Sequence, residues 1–201
     1  MSDETGVVTH YIGSFTDISL FKEQQAELET LAHYDALTQL PNRALLADRM
    51  TQAQAQASRG GTLMAVGYLD LDGFKAINDD YGHDAGDAVL IEMARRLRDC
   101  LRTGDTVARL GGDEFVLLLC GVGSVEECAR AANRVLKALA APVRIGTHAC
   151  RVSGSLGISV FPHDGSDPDT LLRHADQAMY QAKQAGKNRH QVYEPAPAQF
   201  A

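Results

Sequence analysis

The sequence predicts an α/β domain, a central mixed β-sheet covered by helices, with a linker helix in front of it. Two observations carry this expectation. Strand-like apolar segments alternate along the chain with segments whose apolar residues recur at helical spacing. Two of the strand-like segments also end in paired carboxylates, which places chemistry at the edge of a buried sheet. A chain of 201 residues suits one domain with a sizeable core plus an appendage.

The elements follow in order. Within Gly6–Ser19, the stretch Tyr11-Ile12-Gly13-Ser14-Phe15-Thr16-Asp17-Ile18 is strand-like but too short to be a domain, and an irregular chain end is the alternative reading. Residues 20–34 read as a polar helix with Phe21, Leu28 and Leu31 at heptad-like spacing, although two heptads do not establish a coiled coil. Leu46, Met50, Ala53 and Ala57 mark one face of a helix that ends at Gly60-Gly61. A strand over Leu63–Leu71 comes next, and then a helix after Gly86 carrying Leu90, Met93, Ala94, Leu97 and Leu101. Ser124 and Glu127 form an S-x-x-E capping box opening a helix to about Ala140, which Pro142 stops. Val152–Phe161 alternates as a strand through Leu156, Ile158 and Val160. The last helix, Leu171–Ala185, is closed by Gly186.

The segment Arg109-Leu110-Gly111-Gly112-Asp113-Glu114-Phe115 reads as a β-hairpin with acids at its tip, because apolar runs lead in and out and two glycines permit a tight turn. Adjacent carboxylates repel each other, and a cation relieves that repulsion. Hard oxygen ligands suit Mg²⁺, which takes one or two protein carboxylates and fills its other positions with water and substrate phosphates. Gly111 and Gly112 would let a phosphate approach the backbone closely. On its own, this hairpin reads equally as a solvated Gly-Asp turn.

A second acidic segment, Tyr68-Leu69-Asp70-Leu71-Asp72-Gly73-Phe74-Lys75, follows an apolar run and reads as a buried strand ending in carboxylates. Side chains alternate along a strand, so Asp70 and Asp72 project to one face. Acids at a strand end and at a hairpin tip can converge on a metal cluster. Two divalent ions roughly 3.5–4 Å apart are a recurring arrangement for displacement at phosphorus.

Composition excludes other classes. A formal net charge of −7 argues against a general nucleic-acid-binding surface, so a triphosphate would have to be held by local cations and metal. No apolar run reaches the ~20 residues that span a membrane, and no secretory leader is evident, which suits a soluble cytoplasmic domain and leaves room for a membrane tether upstream. Cys100, Cys120, Cys128 and Cys150 lack C-x-x-C spacing and read as reduced core thiols. The histidines show no H-E-x-x-H spacing, and neither a P-loop nor a Rossmann glycine motif occurs.

From about Asp35 to Tyr193 the chain resembles the GGDEF domain, the diguanylate cyclase family that condenses two GTP into cyclic di-GMP. The matching motifs occur in order: Asp35-Ala36-Leu37-Thr38-Gln39-Leu40-Pro41-Asn42-Arg43; Asp70 to Lys75; Asn78 through Tyr81-Gly82-His83-Asp84-Ala85-Gly86-Asp87; the hairpin; Ser155-Leu156-Gly157-Ile158; and Ala175-Asp176 through Met179-Tyr180 to Lys183, Gly186, Lys187 and Asn188. The resemblance implies a palm-like nucleotidyl cyclase and polymerase fold over residues 35–194, followed by a tail over 195–201. It also implies a PAS-like sensor remnant over 1–19 and a dimer stalk over 20–34.

The same resemblance assigns the site. Asp70, the backbone carbonyl of Leu71 and Glu114 would hold two Mg²⁺ ions, with Mn²⁺ as an alternative. Asp113 would be a further ligand or the base for the 3′-hydroxyl, and the residues do not decide between these roles. Lys75 would stabilise transition-state charge, and Lys183 and Lys187 would hold the terminal phosphates. If the last helix continues to Lys187, those two lysines share one face. Asn78 and Asp87 would read guanine, because a carboxylate accepts from the base's ring N–H and amino group. His83 would lie near the nucleotide or serve as a turn residue, while Asp72 and Phe74 are assigned to structure as a turn acid and a core aromatic. Arg102-Thr103-Gly104-Asp105 fits the R-x-x-D inhibitory site of such cyclases, where cyclic di-GMP would bind. One domain holds one GTP, so the expected active form is a homodimer coupled to an upstream sensor. A GTP- or product-binding module without catalysis, and a cyclase or polymerase with another product, are the rival classes.

Overall fold

The computed structural model describes residues 17–19, 22, 28, 30–146 and 148–195, apart from the side chains of Ile145 and His148. The chain divides into two units, Met1–Ala32 and His33–Ala201. In the first unit, Ser19, Lys22, Leu28 and residues 30–32 are helical, and Asp17 accepts from the Ser19 amide at 2.9 Å as a local cap. Leu28 and Leu31 are exposed. The strand-like stretch 11–16, Phe21 and the tail beyond Pro195 lie outside the described residues.

The second unit is built from helices α1 (Arg43–Gly60), α2 (Phe74–Tyr81), α3 (His83–Cys100), α4 (Val125–Leu139) and α5 (Pro168–Gln184) around strands β1 (Leu63–Asp72), β2 (Thr106–Gly111), β3 (Glu114–Val122), β6 (Ser153–Phe161) and β7 (Arg189–Val192). A separate two-stranded ribbon, β4 (Val143–Ile145) with β5 (His148–Cys150), follows α4. The main sheet runs β2-β3-β1-β6-β7, antiparallel except for the parallel pair β6/β7, so it is mixed as expected.

Alternation along β1 divides the core. Ala65, Leu69 and Leu71 face the cluster that includes Val89, Met93 and Leu97 of α3 and Val135, Leu136 and Leu139 of α4. Met64, Val66 and Tyr68 face the cluster of Leu46 and Met50 of α1 with Leu171, Ala175 and Met179 of α5. Continuing the second row by twos carries Asp70 and Asp72 onto the α1/α5 side at the end of the central strand.

Several boundaries differ from the sequence reading for identifiable reasons. The last helix begins at Pro168 rather than Leu171, because Asp167 caps it through the Thr170 amide at 2.9 Å and Pro sits in its first turn. It ends at Gln184, and Lys187 and Asn188 lie beyond it in left-handed conformation with φ of 60° and 47°. Lys183 and Lys187 therefore share no helix face. The helix expected after Gly86 starts at His83, and a short helix over Phe74–Tyr81 was not anticipated. Ser124 caps α4 by accepting from the Glu127 amide at 3.3 Å, but Glu127 reaches back to the Gly123 amide at 3.0 Å rather than to Ser124. All four cysteines are free; Cys128 and Cys150 are buried, whereas Cys100 and Cys120 are only half-buried.

Gly157 decides how closely α5 seats on the sheet. A Cβ there would lie 2.0 Å from the Ala175 carbonyl oxygen and 2.1 Å from the Met179 amide, both backbone atoms that cannot swing aside. Gly157→Ala should lower unfolding free energy by about 2 kcal/mol, in the range of overpacked cores, read as a reduced denaturant midpoint. An unchanged midpoint would contradict this packing.

Candidate active site

The hairpin and β1 bring the acids together through strand register. Asp70 is the direct partner of Glu114 across the β1/β3 pair, so their side chains share a face. Gly111 pairs with Glu114 to close the two-residue turn Gly112-Asp113, with a register shift between Arg109 and Gly111. Gly111 and Gly112 have φ of 147° and 50°, values that favour glycine. The Leu71 amide donates to the Asp113 carbonyl at 3.3 Å, which ties the turn to the end of β1.

A clamp holds this turn from outside. The Arg109 guanidinium donates from Nη2 to the Gly112 carbonyl at 2.8 Å and from Nε at 3.1 Å, while its Nη1 meets the Asp35 carboxylate at 2.9 Å and 3.1 Å. Asp35 also accepts from the Thr38 hydroxyl at 2.6 Å and the Thr38 amide at 2.8 Å. Burial alone would raise the Asp35 carboxyl, but the Thr38 bonds and then Arg109 outweigh it and hold it below the ordinary range. The fork-shaped guanidinium thus converts the Asp35-x-x-Thr38 turn into a support for the Gly-Gly-Asp-Glu turn. Sequence reading matched these residues to motifs but gave Arg109, Asp35 and Thr38 no role.

Charge is unbalanced inside the site. Burial, then the negative charge of Asp70, push the Asp113 carboxyl above its usual value, opposed by a backbone hydrogen bond, Lys183 and Arg109. Burial and then the negative charge of the nearby Glu114 carboxylate push the Tyr68 phenol up to about 12. Tyr68, two residues before Asp70 on the same face, is a site residue that strand alternation alone could have nominated. Lys183 Nζ meets Asp70 Oδ2 at 2.7 Å and supplies the local positive charge. Among the described residues no group of three or more acids, histidines or cysteines is already closed around a metal position. The donor chemistry nonetheless fits a hard divalent cation: Asp70 and Glu114 are cross-strand partners, Asp113 stands in the adjoining turn with its anion destabilised by Asp70, and the Lys183 ammonium sits on Asp70.

The remaining predicted residues flank this centre. Lys75 is exposed in the first turn of α2, His83 is exposed at the start of α3, and Asp87 is exposed on α3. Asn78, half-buried on α2, lies against Gly86, where an added Cβ would stand 1.9 Å from Asn78 Oδ1. Gly86 therefore makes room for the Asn78 amide beside Asp87. Phe74 is buried, as its structural reading required. Asp72 is buried at the end of β1 rather than in a turn, and accepts from Ser153 and Ser155.

Arg102 and Asp105 stand apart, lining a cavity of about 170 Å³ with Cys120, Glu127, Arg130 and Arg134. Arg102 Nη2 is paired with Glu127 Oε1 at 2.8 Å. Asp105 accepts from the Arg102 and Cys120 amides, both at 3.1 Å. The two additional arginines had no signal in an isolated R-x-x-D.

A mixed sheet whose central strand and adjoining hairpin bring carboxylates into register defines a palm-like α/β domain of the nucleotidyl cyclase kind. The chain belongs to the family described as "Diguanylate cyclase, GGDEF domain", whose model matches residues 32–189. It is 48% identical over 168 residues to the bifunctional diguanylate cyclase/cyclic di-GMP phosphodiesterase MucR of Pseudomonas aeruginosa, covering 84% of this chain and 24% of that protein. The chain thus spans about a quarter of that relative's length. The solved GGDEF domain of TpbB from P. aeruginosa superposes with a TM-score of 0.79 at 40% identity, covering 81% of this chain and 95% of that one. The coiled coil and GGDEF domain of DgcB from Caulobacter crescentus, solved in complex with c-di-GMP, superposes with a TM-score of 0.77 at 25% identity, covering 87% and 93%. No helix among the described residues is long and apolar enough to cross a membrane.

The raised Asp113 carboxyl has a stability consequence. A group held above its unfolded value favours the fold below that unfolded value, and this contribution is lost as pH rises through the folded one. At neutral pH, without a cation, Asp113 therefore opposes folding. Asp113→Asn should raise the melting temperature of the metal-free protein at pH 7, measured in a chelator, and added Mg²⁺ should raise the wild-type value more than the variant's. A lower melting temperature for the metal-free variant would contradict the repulsion inferred here.

Proposed function

We propose that this domain condenses two GTP into cyclic di-GMP with release of two pyrophosphates, supported by two Mg²⁺ ions per site, with Mn²⁺ as an alternative. The observation that carries this reading is the register of Asp70 against Glu114, with Asp113 at the tip of the same hairpin and Lys183 on Asp70. Family membership and the c-di-GMP complex of DgcB support it.

In each of the two bond-forming steps a 3′-hydroxyl loses its proton, its oxygen attacks the α-phosphorus of the other nucleotide, and pyrophosphate leaves. Asp70, the Leu71 carbonyl, Asp113 and Glu114 are the residues to hold the cations, which would polarise the phosphate and lower the hydroxyl's proton affinity. Asp113 alternatively accepts the hydroxyl proton, since a divalent ion beside it would keep its carboxyl an anion. With nucleotide bound, Lys183 is free to leave Asp70 for the terminal phosphates, and Lys187 approaches the same phosphates from the turn beyond α5. Lys75 offsets charge growing in the transition state. Asn78 and Asp87 pair with the guanine edge, and His83 stands beside them. Gly111 and Gly112 keep the backbone open to the phosphates.

The assembly follows from stoichiometry. One domain holds one GTP, so two domains must meet face to face, and the helix within 20–34 serves as the stalk through which a sensor upstream of it, with a PAS-like end at 1–19, sets their pose. Cytoplasmic placement suits a GTP-consuming domain. The cavity at Arg102 and Asp105, with Arg130 and Arg134, takes the product and holds the domains apart, because guanidinium groups both stack on guanine and fork to phosphate.

Incubating nucleotide-stripped protein with GTP and Mg²⁺ and identifying products by mass should yield cyclic di-GMP, with turnover reduced by at least about 10²-fold in Glu114→Ala. GTP binding without product at any protein concentration would favour a binding module instead. Arg102→Ala should retain turnover and lose inhibition by added cyclic di-GMP; inhibition at the wild-type concentration would remove that cavity from the account.

A further inference from the structure

Asp72 is the second acid of the β1 end, and its carboxylate is taken up by hydrogen bonds from β6 and from the turn beyond α5. It is 9% exposed and accepts three hydrogen bonds: from Ser155 Oγ at 2.8 Å on Oδ1, and from Ser153 Oγ at 2.8 Å and the Asn188 amide at 3.1 Å on Oδ2. The Asn188 bond crosses from β1 to the turn that joins α5 to β7. In that turn Lys187 and Asn188, neither of them glycine, hold consecutive left-handed conformations. Such a pair is unfavourable for side-chain-bearing residues and persists only where its surroundings fix it.

Backbone bonds on both sides, the bond from Arg189 Nε to the Lys187 carbonyl at 3.3 Å, and Asp72 fix it. On the helix side, the Lys187 amide donates to the Ala182 carbonyl at 3.1 Å and the Gly186 amide to the Lys183 carbonyl at 3.3 Å. On the strand side, Arg189 pairs with Ser155, the same residue whose hydroxyl Asp72 holds. Asp72 therefore secures both the Asn188 amide and the strand beside which β7 begins. Removing it would leave the Asn188 amide without this acceptor and the buried Ser155 hydroxyl without its acceptor, a costly state for buried polar groups.

We propose that Asp72 is a positioning residue for Lys187: its carboxylate locks the left-handed Lys187-Asn188 turn and so sets where the Lys187 ammonium meets the terminal phosphates of GTP. This inference rests on the phosphate-binding reading of Lys187 given above. Asp72 contributes through acceptor geometry and not through metal coordination. An Asn at this position can keep its amide oxygen toward Ser153 and the Asn188 amide and donate its NH₂ to the rotatable Ser155 hydroxyl.

The test is steady-state kinetics on Asp72→Ala, Asp72→Asn, Lys187→Ala and the Asp72→Ala/Lys187→Ala double variant, with hydrogen exchange over residues 186–190. Asp72→Ala should raise KM for GTP by about tenfold with a smaller change in kcat, and speed exchange of the Asn188 amide. Asp72→Asn should recover most of that KM loss, whereas Asp70→Asn should lose turnover. In the double variant the Asp72 change should raise KM by less than about twofold over Lys187→Ala alone, because residues acting through one another are non-additive. Additive KM effects, or an Asp72→Asn variant as impaired as Asp70→Asn, would overturn the proposal while leaving the phosphate reading of Lys187 standing. An unchanged KM in Lys187→Ala would remove both. Asp72→Asn decides between geometry and charge even if Asp72→Ala does not fold.

Discussion

The structure depends on one constraint: like charges must be held together at the end of a buried strand. Asp70 lies opposite Glu114 because β1 and β3 pair in a single register, and a slip of one residue between them would put the two acids on opposite faces of the sheet. That register is fixed by burial. Val66 and Tyr68 on one face, and Leu69 and Leu71 on the other, are buried in separate clusters, so no neighbouring register keeps both clusters apolar. The hydrophobic core thus sets the spacing of the carboxylates, and repulsion between them is offset by the fold's wider stability.

Around this centre the protein places supports that do no chemistry themselves. Arg109 bridges Asp35 to the Gly112 carbonyl, and Gly86 leaves space for Asn78. Each removes a degree of freedom from a group that would otherwise be mobile at the sheet edge. Rigid placement matters here because the repulsion of Asp113 by Asp70 would be relieved by movement apart. A cation relieves it without movement, and this links the raised Asp113 carboxyl to the ligand expected there.

Much of this was legible in the sequence where local pattern and tertiary role coincide. Leu46, Met50, Ala53 and Ala57 at helical spacing are all buried, and the Gly-Gly turn between two apolar runs is a two-residue hairpin. The elements missed are those with little local signal. The four-residue β7 is defined by its parallel pairing with β6, and the eight-residue α2 has only Phe74 and Ile77 buried. Lys183 and Lys187 looked like one helix face because their spacing is helical, but the chain leaves the helix at Gln184 and turns left-handed. The Arg109 clamp spans 74 positions, and nothing near either residue announces a partner so distant. The three arginines of the Arg102 cavity come from a turn and from α4, so only the fold assembles them.

We propose that strand register makes Asp70, Asp113 and Glu114 one cation site. The most direct measurement is a titration of nucleotide-free protein with Mn²⁺, following the resonance of the free ion, for the wild type, Asp70→Asn and Glu114→Gln. The account predicts binding by the wild type that weakens by about tenfold or more in each variant, since one carboxylate is lost from a shared set. Equal Mn²⁺ affinity in all three proteins would contradict it, because the acids would then be neighbours in space without acting on a common ion.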